Sequence, residues 1–472
     1  MMYRHPKLAV SWLPLSIFLL LNSVDFQNVY AQAVDQTQLP NTNPVLPPEL
    51  PQPQDIQPPA PTPLPPPQSP QQLPPPAELL QPSSPDINPQ QPVPKDTPQT
   101  ITVEKFEVVG STVFSQEELD NVTAEFTKRP ITLAELFQAR SKITELYVAK
   151  GYITSGAYIP PQTIQSGVIQ IRVVEGKLED IQITGNRRLN PNYVRSRLAI
   201  ATKPPLNREN LLEALQLLQL NPLIQNLSAE LSAGSRPGTS VLQVQITEAK
   251  SFNTQLALDN GRSPGVGSFR RRVQLSEANL LGLGDSISLG YSNTDGSNTF
   301  DTSYTLPLNA RNGTLSFNFG TSSSNLIERP FNILNIESSS RYYEITYRQP
   351  LVQSPTQDLA IGLTASRRES EISSSLFNEQ LPPSELSPGA DEQGRTRISA
   401  LRFFQEWTTR NSREVLAVRS QFNLGIGALN ATVNADESPD SRFFSWQGQA
   451  QWARLLAPET LLIVNTLAKI RG

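Results

Sequence analysis

The chain has 472 residues, with 43 prolines, no cysteine, a single histidine and a formal charge of −4. Without cysteine, and without His5 once an amino-terminal leader is removed, it cannot build a thiolate nucleophile, a histidine-based triad or an ordinary zinc site. The acidic balance gives no footprint for nucleic acid, so no enzymatic activity, cofactor, metal, small-molecule substrate or nucleic-acid partner is expected.

Arg4 and Lys7 precede an apolar run over residues 8–21. At about fourteen residues this run is too short to span a bilayer and suits the centre of a secretory signal peptide, assigned here to residues 1–33. Cleavage after Ala31 or after Ala33 fits equally well. Beyond the signal no run of about eighteen apolar residues occurs, which leaves membrane strands of about ten alternating residues as the remaining way to cross. Residues 34–100 read as a linker. Between Pro40 and Pro98 about two residues in five are proline, which blocks helix and sheet and favours an extended polyproline tether.

A first domain is expected over 101–176. Residues 101–110 read as one strand ending in a glycine turn, and Ser115-Gln116-Glu117-Glu118 is a capping box opening a helix. A longer amphipathic helix over 132–150 places Leu133, Leu136, Phe137, Ile143 and Leu146 on its apolar side, and Gly151 ends it. Strands over 152–159 and 168–174 complete the order β-α-α-β-β. The same order repeats over 177–250 at a period of about seventy-five residues. Its elements are expected at 178–185, 191–200, 207–220, 223–231 and 240–247. Val108-Val109-Gly110-Ser111 and Ile183-Thr184-Gly185-Asn186 fall at equivalent places.

From 251 to 472 the period changes to two. Ile287, Leu289 and Tyr291 alternate with serines and Gly290, Leu315, Phe317 and Phe319 with Thr314, Ser316 and Asn318, and Phe444, Trp446, Ala450 and Trp452 with Ser445, Gln447, Gln449 and Gln451. About eleven such strands are expected between 252 and 470. A soluble sandwich shares this alternation, but long strands with Arg, Gln and Glu on the polar side suit a water-filled barrel. A long polar loop over 369–396 and a tight turn at Ala310-Arg311-Asn312-Gly313 match the unequal loops of such barrels. The fold class is therefore α+β repeats followed by an antiparallel transmembrane β-barrel.

Leu258-Asp259-Asn260-Gly261, Asn279-Leu280-Leu281-Gly282-Leu283-Gly284-Asp285 and Tyr304-Thr305-Leu306-Pro307-Leu308 resemble the opening barrel strands of the two-partner secretion transporters, also called hemolysin secretion/activation proteins. Leu401-Arg402-Phe403 and Phe443-Phe444-Ser445-Trp446 are similar to the same family. The two repeats resemble its paired polypeptide-transport-associated (POTRA) domains. The resemblance implies an outer-membrane barrel of sixteen strands that exports one large, β-rich secreted partner polypeptide in an unfolded state, with the POTRA-like domains in the periplasm and outer-membrane lipid around the barrel. The family's Val-Arg-Gly-Tyr type loop and terminal aromatic residue are not found, and 465–472 departs from the expected pattern. An incomplete, C-terminally truncated barrel is therefore expected.

The proposed chemistry needs no catalytic group: an extended partner segment adds to an exposed sheet edge. The expected edges are 152–159, with Tyr152, Ile153, Tyr158 and Ile159 as partner-binding residues, and 223–231; the alternative is that these side chains are ordinary core. Arg270, Arg272, Arg402 and Arg419 are expected to face the lumen, where they contact the passing chain or pair with Glu277 or Glu406. Gly261-Arg262-Ser263-Pro264-Gly265 fits G-x-S-x-G but sits between strands, with no histidine to activate Ser263, and Gly282-Leu283-Gly284 reads as a turn. Two other readings use the same architecture: an insertase for outer-membrane proteins, and a plain porin with periplasmic anchors.

Overall fold

The computed structural model describes residues 79–82, 100–164, 166–375, 386–434, 439–457 and 459–471. The signal peptide expected over 1–33 and most of the proline-rich stretch expected as a linker lie outside the described residues. One piece of the linker does not: β1 (Leu80–Pro82) is a three-residue strand.

The first repeat contains β2 (Thr100–Val103), β3 (Lys105–Val109), α1 (Gln116–Thr123), β4 (Arg129–Thr132), α2 (Leu133–Ala149), β5 (Gly156–Tyr158) and β6 (Val168–Val174). Both helices start at reciprocal capping boxes, Ser115 with Glu118 and Thr132 with Glu135. Each box satisfies backbone donors that the first helical turn leaves without an intrahelical acceptor. The single strand expected over 101–110 is cut at Glu104, whose N–H donates to the Gly167 carbonyl at 2.8 Å. Its first half turns aside to pair antiparallel with β4. Its second half, β3, runs parallel to β6, and β5 lies antiparallel on the other side of β6.

Tyr147, Ile143, Ala139 and Leu136 form the buried stripe of α2, packed on Phe106, Leu119, Ile131, Ile169 and Ile171. The expected stripe was rotated too far: Leu133 and Phe137 are 50% and 46% exposed. Spacings of three and four from Leu136 through Ala139 and Ile143 to Tyr147 define the helix face that meets the sheet.

The second repeat consists of β7 (Lys177–Thr184), α3 (Pro191–Ala201), α4 (Arg208–Gln219), β8 (Ile224–Ala233) and β9 (Thr239–Glu248). Asn190 and Asn207 cap the two helices, and Pro191 sits at the first turn of α3, where its missing N–H costs nothing. The sheet order is β1-β8-β9-β7, with β7 and β9 parallel and β8 antiparallel to β9.

Gly110 and Gly185 occupy equivalent places, with φ of +89° and +79°. A side chain at either would strike a carbonyl oxygen of the closing strand, Val173 or Ile246. Only glycine adopts this conformation at so close an approach without strain. Two residues after that carbonyl a glutamate gathers the following loop. Glu175 accepts the Thr112 N–H at 2.6 Å, and Glu248 accepts those of Arg187, Arg188 and Leu189 at 2.6, 2.9 and 2.8 Å.

The remainder is one antiparallel sheet of eleven strands in sequence order. They are β10 (Phe252–Asp259), β11 (Arg270–Ala278), β12 (Ser286–Asn293), β13 (Ser297–Pro307), β14 (Thr314–Asn325), β15 (Glu337–Gln353), β16 (Gln357–Ser373), β17 (Arg395–Arg410), β18 (Glu414–Ile426), β19 (Phe444–Ala457) and β20 (Thr460–Arg471). Two expectations change. The polar stretch 369–396 is partly strand, because β16 and β17 continue to Ser373 and from Arg395 with Glu371 opposite Arg395. Residues 465–471 keep strand structure, with Val464 opposite Trp452 and Ile470 opposite Trp446.

Candidate functional site

Register sorts the side chains of this sheet into two faces. Tyr347, Leu363, Phe403, Phe422 and Trp446 form one continuous row across five strands. The first four of these, with Leu289, Phe317, Ile345 and Leu424 elsewhere on the sheet, are strongly exposed. A continuous apolar row exposed to this extent is the surface that faces hydrocarbon. Among the described residues no helix is long and apolar enough to cross a membrane.

On the opposite face Thr346, Thr364, Arg402, Asn423 and Ser445 form the neighbouring row. Arg402 donates to Glu344 at 3.1 Å, while Arg419 and Arg348 both grip Glu406, at 2.7 and 2.8 Å, and Arg348 also reaches Asp358 at 2.9 Å. Arg419 further lies over the Phe404 ring at 4.2 Å. Arg270 pairs with Asp259 at 3.0 Å and Arg272 donates to Gln274 at 3.2 Å, both near the start of the sheet. The expected partner of these arginines in β11, Glu277, is taken instead by Arg188 of the second repeat.

That contact belongs to a joint the sequence reading missed. From the loop after β7, Arg188 donates to Glu277 at 2.6 Å, to Ser251 at 3.2 Å and to the carbonyls of Asn279 and Leu280 at 3.2 and 3.3 Å. Asn190 N–H donates to the Gly282 carbonyl at 2.8 Å. Gly282 and Gly284, both at positive φ, allow this approach: a side chain at Gly282 would meet the Arg188 carbonyl and one at Gly284 the ring of Tyr193. The Gly282-Leu283-Gly284 turn is thus a docking turn. Its shape is held by Asp285, which accepts the Leu281 N–H at 2.9 Å and the Tyr304 hydroxyl at 3.0 Å. On the far side Arg197 donates to Asn312 at 2.7 Å, fastening α3 to the tight turn at 310–313. A glycine pair beside a strand pair, with Asp to close the turn, was the readable signal.

The two repeats are joined just as directly. Leu206 N–H donates to the Gly176 carbonyl at 2.7 Å and Arg208 N–H to the Gly151 carbonyl at 2.8 Å. Gly151 therefore ends α2 and also receives the start of α4.

The candidate edge at 152–159 is shorter than expected. Tyr152 and Ile153 precede the strand, which is the three residues of β5. Tyr152 packs edge-on against Tyr147 and Phe114, and Ile159 packs on the core, whereas Ile153 and Tyr158 are exposed. Thr144 of α2 accepts the Ala157 N–H at 3.0 Å, so the outward donor of β5 is already used. The second candidate edge, in β8, is paired with β1.

Electrostatics of the repeats serve structure. Hydrogen bonds from Thr132 and Arg129 hold Glu135 at about 2, and those from Ser235 and Thr239 hold Glu179 at about 2. For Glu248, burial pushes the carboxyl up, but the backbone donors of residues 187–189 outweigh it and leave it below the ordinary range.

Ser263 is an ordinary turn residue that accepts the Gly265 N–H at 3.3 Å. The next residue, Val266, is buried with Leu326, Ile336, Ile372 and Leu386 in a small apolar cluster among the loops. The turn that carries the G-x-S-x-G string thus leads directly into a packing cluster, and among the described residues no cluster suited to a metal ion occurs.

These features define a β-barrel membrane protein carrying two α+β repeats ahead of its barrel sheet. Residues 101–176 match the ShlB-type POTRA domain, and residues 238–461 match the haemolysin secretion/activation protein ShlB/FhaC/HecB. The chain belongs to this family of two-partner secretion transporters, with its barrel in the outer membrane and its POTRA region in the periplasm. It is 26% identical over 176 residues to the heme/hemopexin transporter protein HuxB of Haemophilus influenzae, a match covering 37% of this chain and 31% of that protein. With the outer membrane transporter CdiB of Dickeya dadantii it shares 26% identity over 194 residues, covering 41% and 34%. The matched stretch thus spans about a third of the length of these curated relatives. In fold it is similar to CdiB from Escherichia coli, with a TM-score of 0.58 at 19% identity over 82% of this chain and 71% of the other. CdiB from Acinetobacter baumannii gives 0.51 at 15% identity over 86% and 73%.

Proposed function

We propose that this protein exports a large, β-rich secreted partner polypeptide across the outer membrane, receiving it unfolded on the periplasmic repeats and passing it along the polar face of the barrel. The supporting observation is the joint at Arg188: it fixes the second repeat to the β11–β12 turn of a sheet whose polar face carries Arg348, Arg402, Arg419 and Glu406. A polar, hydrogen-bonding wall suits an unfolded chain, whose backbone donors and acceptors need partners along the path. In this reading Ile153 and Tyr158 contact the partner, while Tyr152 and Ile159 support the domain core. Arg270, Arg272, Arg402 and Arg419 face the conduit.

The test takes a candidate partner from the flanking genes, chosen as a large β-rich secreted product, and measures its secretion into the medium with the chain present, deleted and restored. Loss on deletion and recovery on restoration are expected. Equal secretion in the deletion strain sinks the export reading. A general fall in barrel proteins of the outer membrane would favour the insertase, and partner-independent conductance alone the porin.

A further inference from the structure

The linker is not a plain spacer throughout. Within its prolines stands a short proline-free island, Ala77-Glu78-Leu79-Leu80-Gln81, bounded by Pro76 and Pro82. From this island β1 pairs in parallel with β8, with Leu80 opposite Ala229, Gln81 opposite Glu230 and Pro82 opposite Leu231. Leu79 and Leu80 are 2% and 9% exposed and belong to the core of the second repeat, together with Ile224, Leu227, Ala229 and Leu218. The linker thus fills the outer edge of β8.

We propose that β1, anchored also by Leu79 at the helical position just before it, is an internal ligand of a strand-addition site on β8, and that a segment presenting the same adjacent pair of aliphatic side chains can replace it. Strand addition takes affinity from main-chain hydrogen bonds and specificity from pockets for the side chains, and β1 displays both in the chain's own sequence. Its shortness makes it exchangeable. Pro76 and Pro82 have no N–H to donate, so the prolines on either side stop the ladder from lengthening. The burial of two leucines is set against the ordering of four linker residues, two contributions of similar size and opposite sign. A covered edge also protects the second repeat from pairing with the wrong chain, a hazard of any open strand. The inference rests on the export reading only for the identity of the displacing chain, the secreted partner. The site itself is defined by β1 and β8.

A labelled peptide of this chain's residues 77–83 tests the site in the full-length protein. In the intact protein the tethered copy competes at an effective concentration on the order of millimolar, so micromolar peptide should bind poorly. Replacing the anchors, as L79S/L80S, should vacate the edge and tighten peptide binding at least about tenfold. The chain has no cysteine of its own, so Q81C/E230C gives a clean lock across the paired positions. Oxidation should form the bond readily and abolish peptide binding, and reduction should restore it to the wild-type level.

Equal peptide binding by wild type and L79S/L80S, no binding by either, or failure of the cysteine pair to oxidise would overturn the proposal. If L79S/L80S does not fold, the oxidised and reduced forms of the locked protein decide. Peptide exchange needs no secretion. Its failure leaves export standing, and loss of export with peptide exchange intact removes the export reading but keeps the site.

Discussion

The two repeats share chain order, the left-handed glycine and the glutamate that gathers the next loop, yet they protect their hairpin strands differently. In the first, the outward donor of β5 is met by Thr144 of the neighbouring helix. In the second, β8 is ten residues long and its edge is met by a strand from the linker. A helix side chain is a fixed cap, whereas a tethered strand is a replaceable one. The difference places the exchangeable surface in the second repeat, which is also the one fastened to the barrel through Arg188.

The common device can be broken at its glycines. Alanine at Gly185 or Gly110 adds a Cβ against a carbonyl oxygen at positive φ, and a loss of about 2–4 kcal/mol in the stability of that repeat is expected. Denaturant unfolding should show Gly185→Ala as at least as severe as Gly110→Ala, since its Cβ comes closer to the oxygen. Equal stability of both variants and wild type would remove the device from the account.

Next in size, Arg188→Ala removes one ion pair and several further hydrogen bonds, and leaves the mostly buried Glu277 without this partner. A cost of about 1–3 kcal/mol to the joint is expected. The readout is protease cleavage around 249–251, which should accelerate while both repeats stay folded. Unchanged cleavage would mean that Asn190 and Arg197 hold the joint by themselves.

A smaller effect separates the repeats by pH. Glu248 has a folded-state acidity below its ordinary range, so its contribution is complete above about 4.5 and is lost as pH falls through the lower folded value. Glu248→Gln should therefore be less stable than wild type near neutrality, by about 1 kcal/mol after solvent screening, and the gap should close in acid. Parallel unfolding curves at every pH would contradict this.

Local chemistry was legible in the sequence where neighbours along the chain decide the outcome. Ser115 with Glu118, and Pro191 following the Asn190 cap, are complete within four residues, and barrel strands announce themselves by alternation. Features settled by distant groups were not. β4 is Arg-Pro-Ile-Thr, with a proline and no alternation, and it exists because Ile131 fills a core site and β2 needs a partner. The break at Glu104 depends on the Gly167 carbonyl more than sixty residues away. The apolar face of α2 was misplaced because Leu133 and Phe137, four residues apart, form a second apolar pair turned to one side of the Leu136, Ala139, Ile143 and Tyr147 stripe. At the functional site, the arginines of the polar face could be read from parity. Glu406 was readable as a partner too, and Arg419 takes it, but the second grip of Arg348 on Glu406 and the pairing of Arg402 with Glu344 were not, since strand register alone brings these groups together.

The smallest expected effect lies in the helix caps, where the repeats again differ. The first repeat uses two glutamate boxes, while the second uses the neutral Asn190 and Asn207. Thr132→Ala should cost the first repeat about 1 kcal/mol, as loss of an N-cap oxygen does elsewhere. Glu135 is held at about 2, chiefly by the Thr132 N–H and then by Arg129. Its support is present above about 4.5 and disappears as pH falls towards 2. Glu135→Gln should therefore differ from wild type at neutral pH and converge with it in strong acid, whereas Asn190→Ala and Asn207→Ala should shift stability by the same amount throughout. Hydrogen exchange of the first-turn amides of α2 and α3, followed from neutrality to pH 2, reads the two behaviours separately. If α3 loosened with α2 in acid, the caps would not be what distinguishes the repeats.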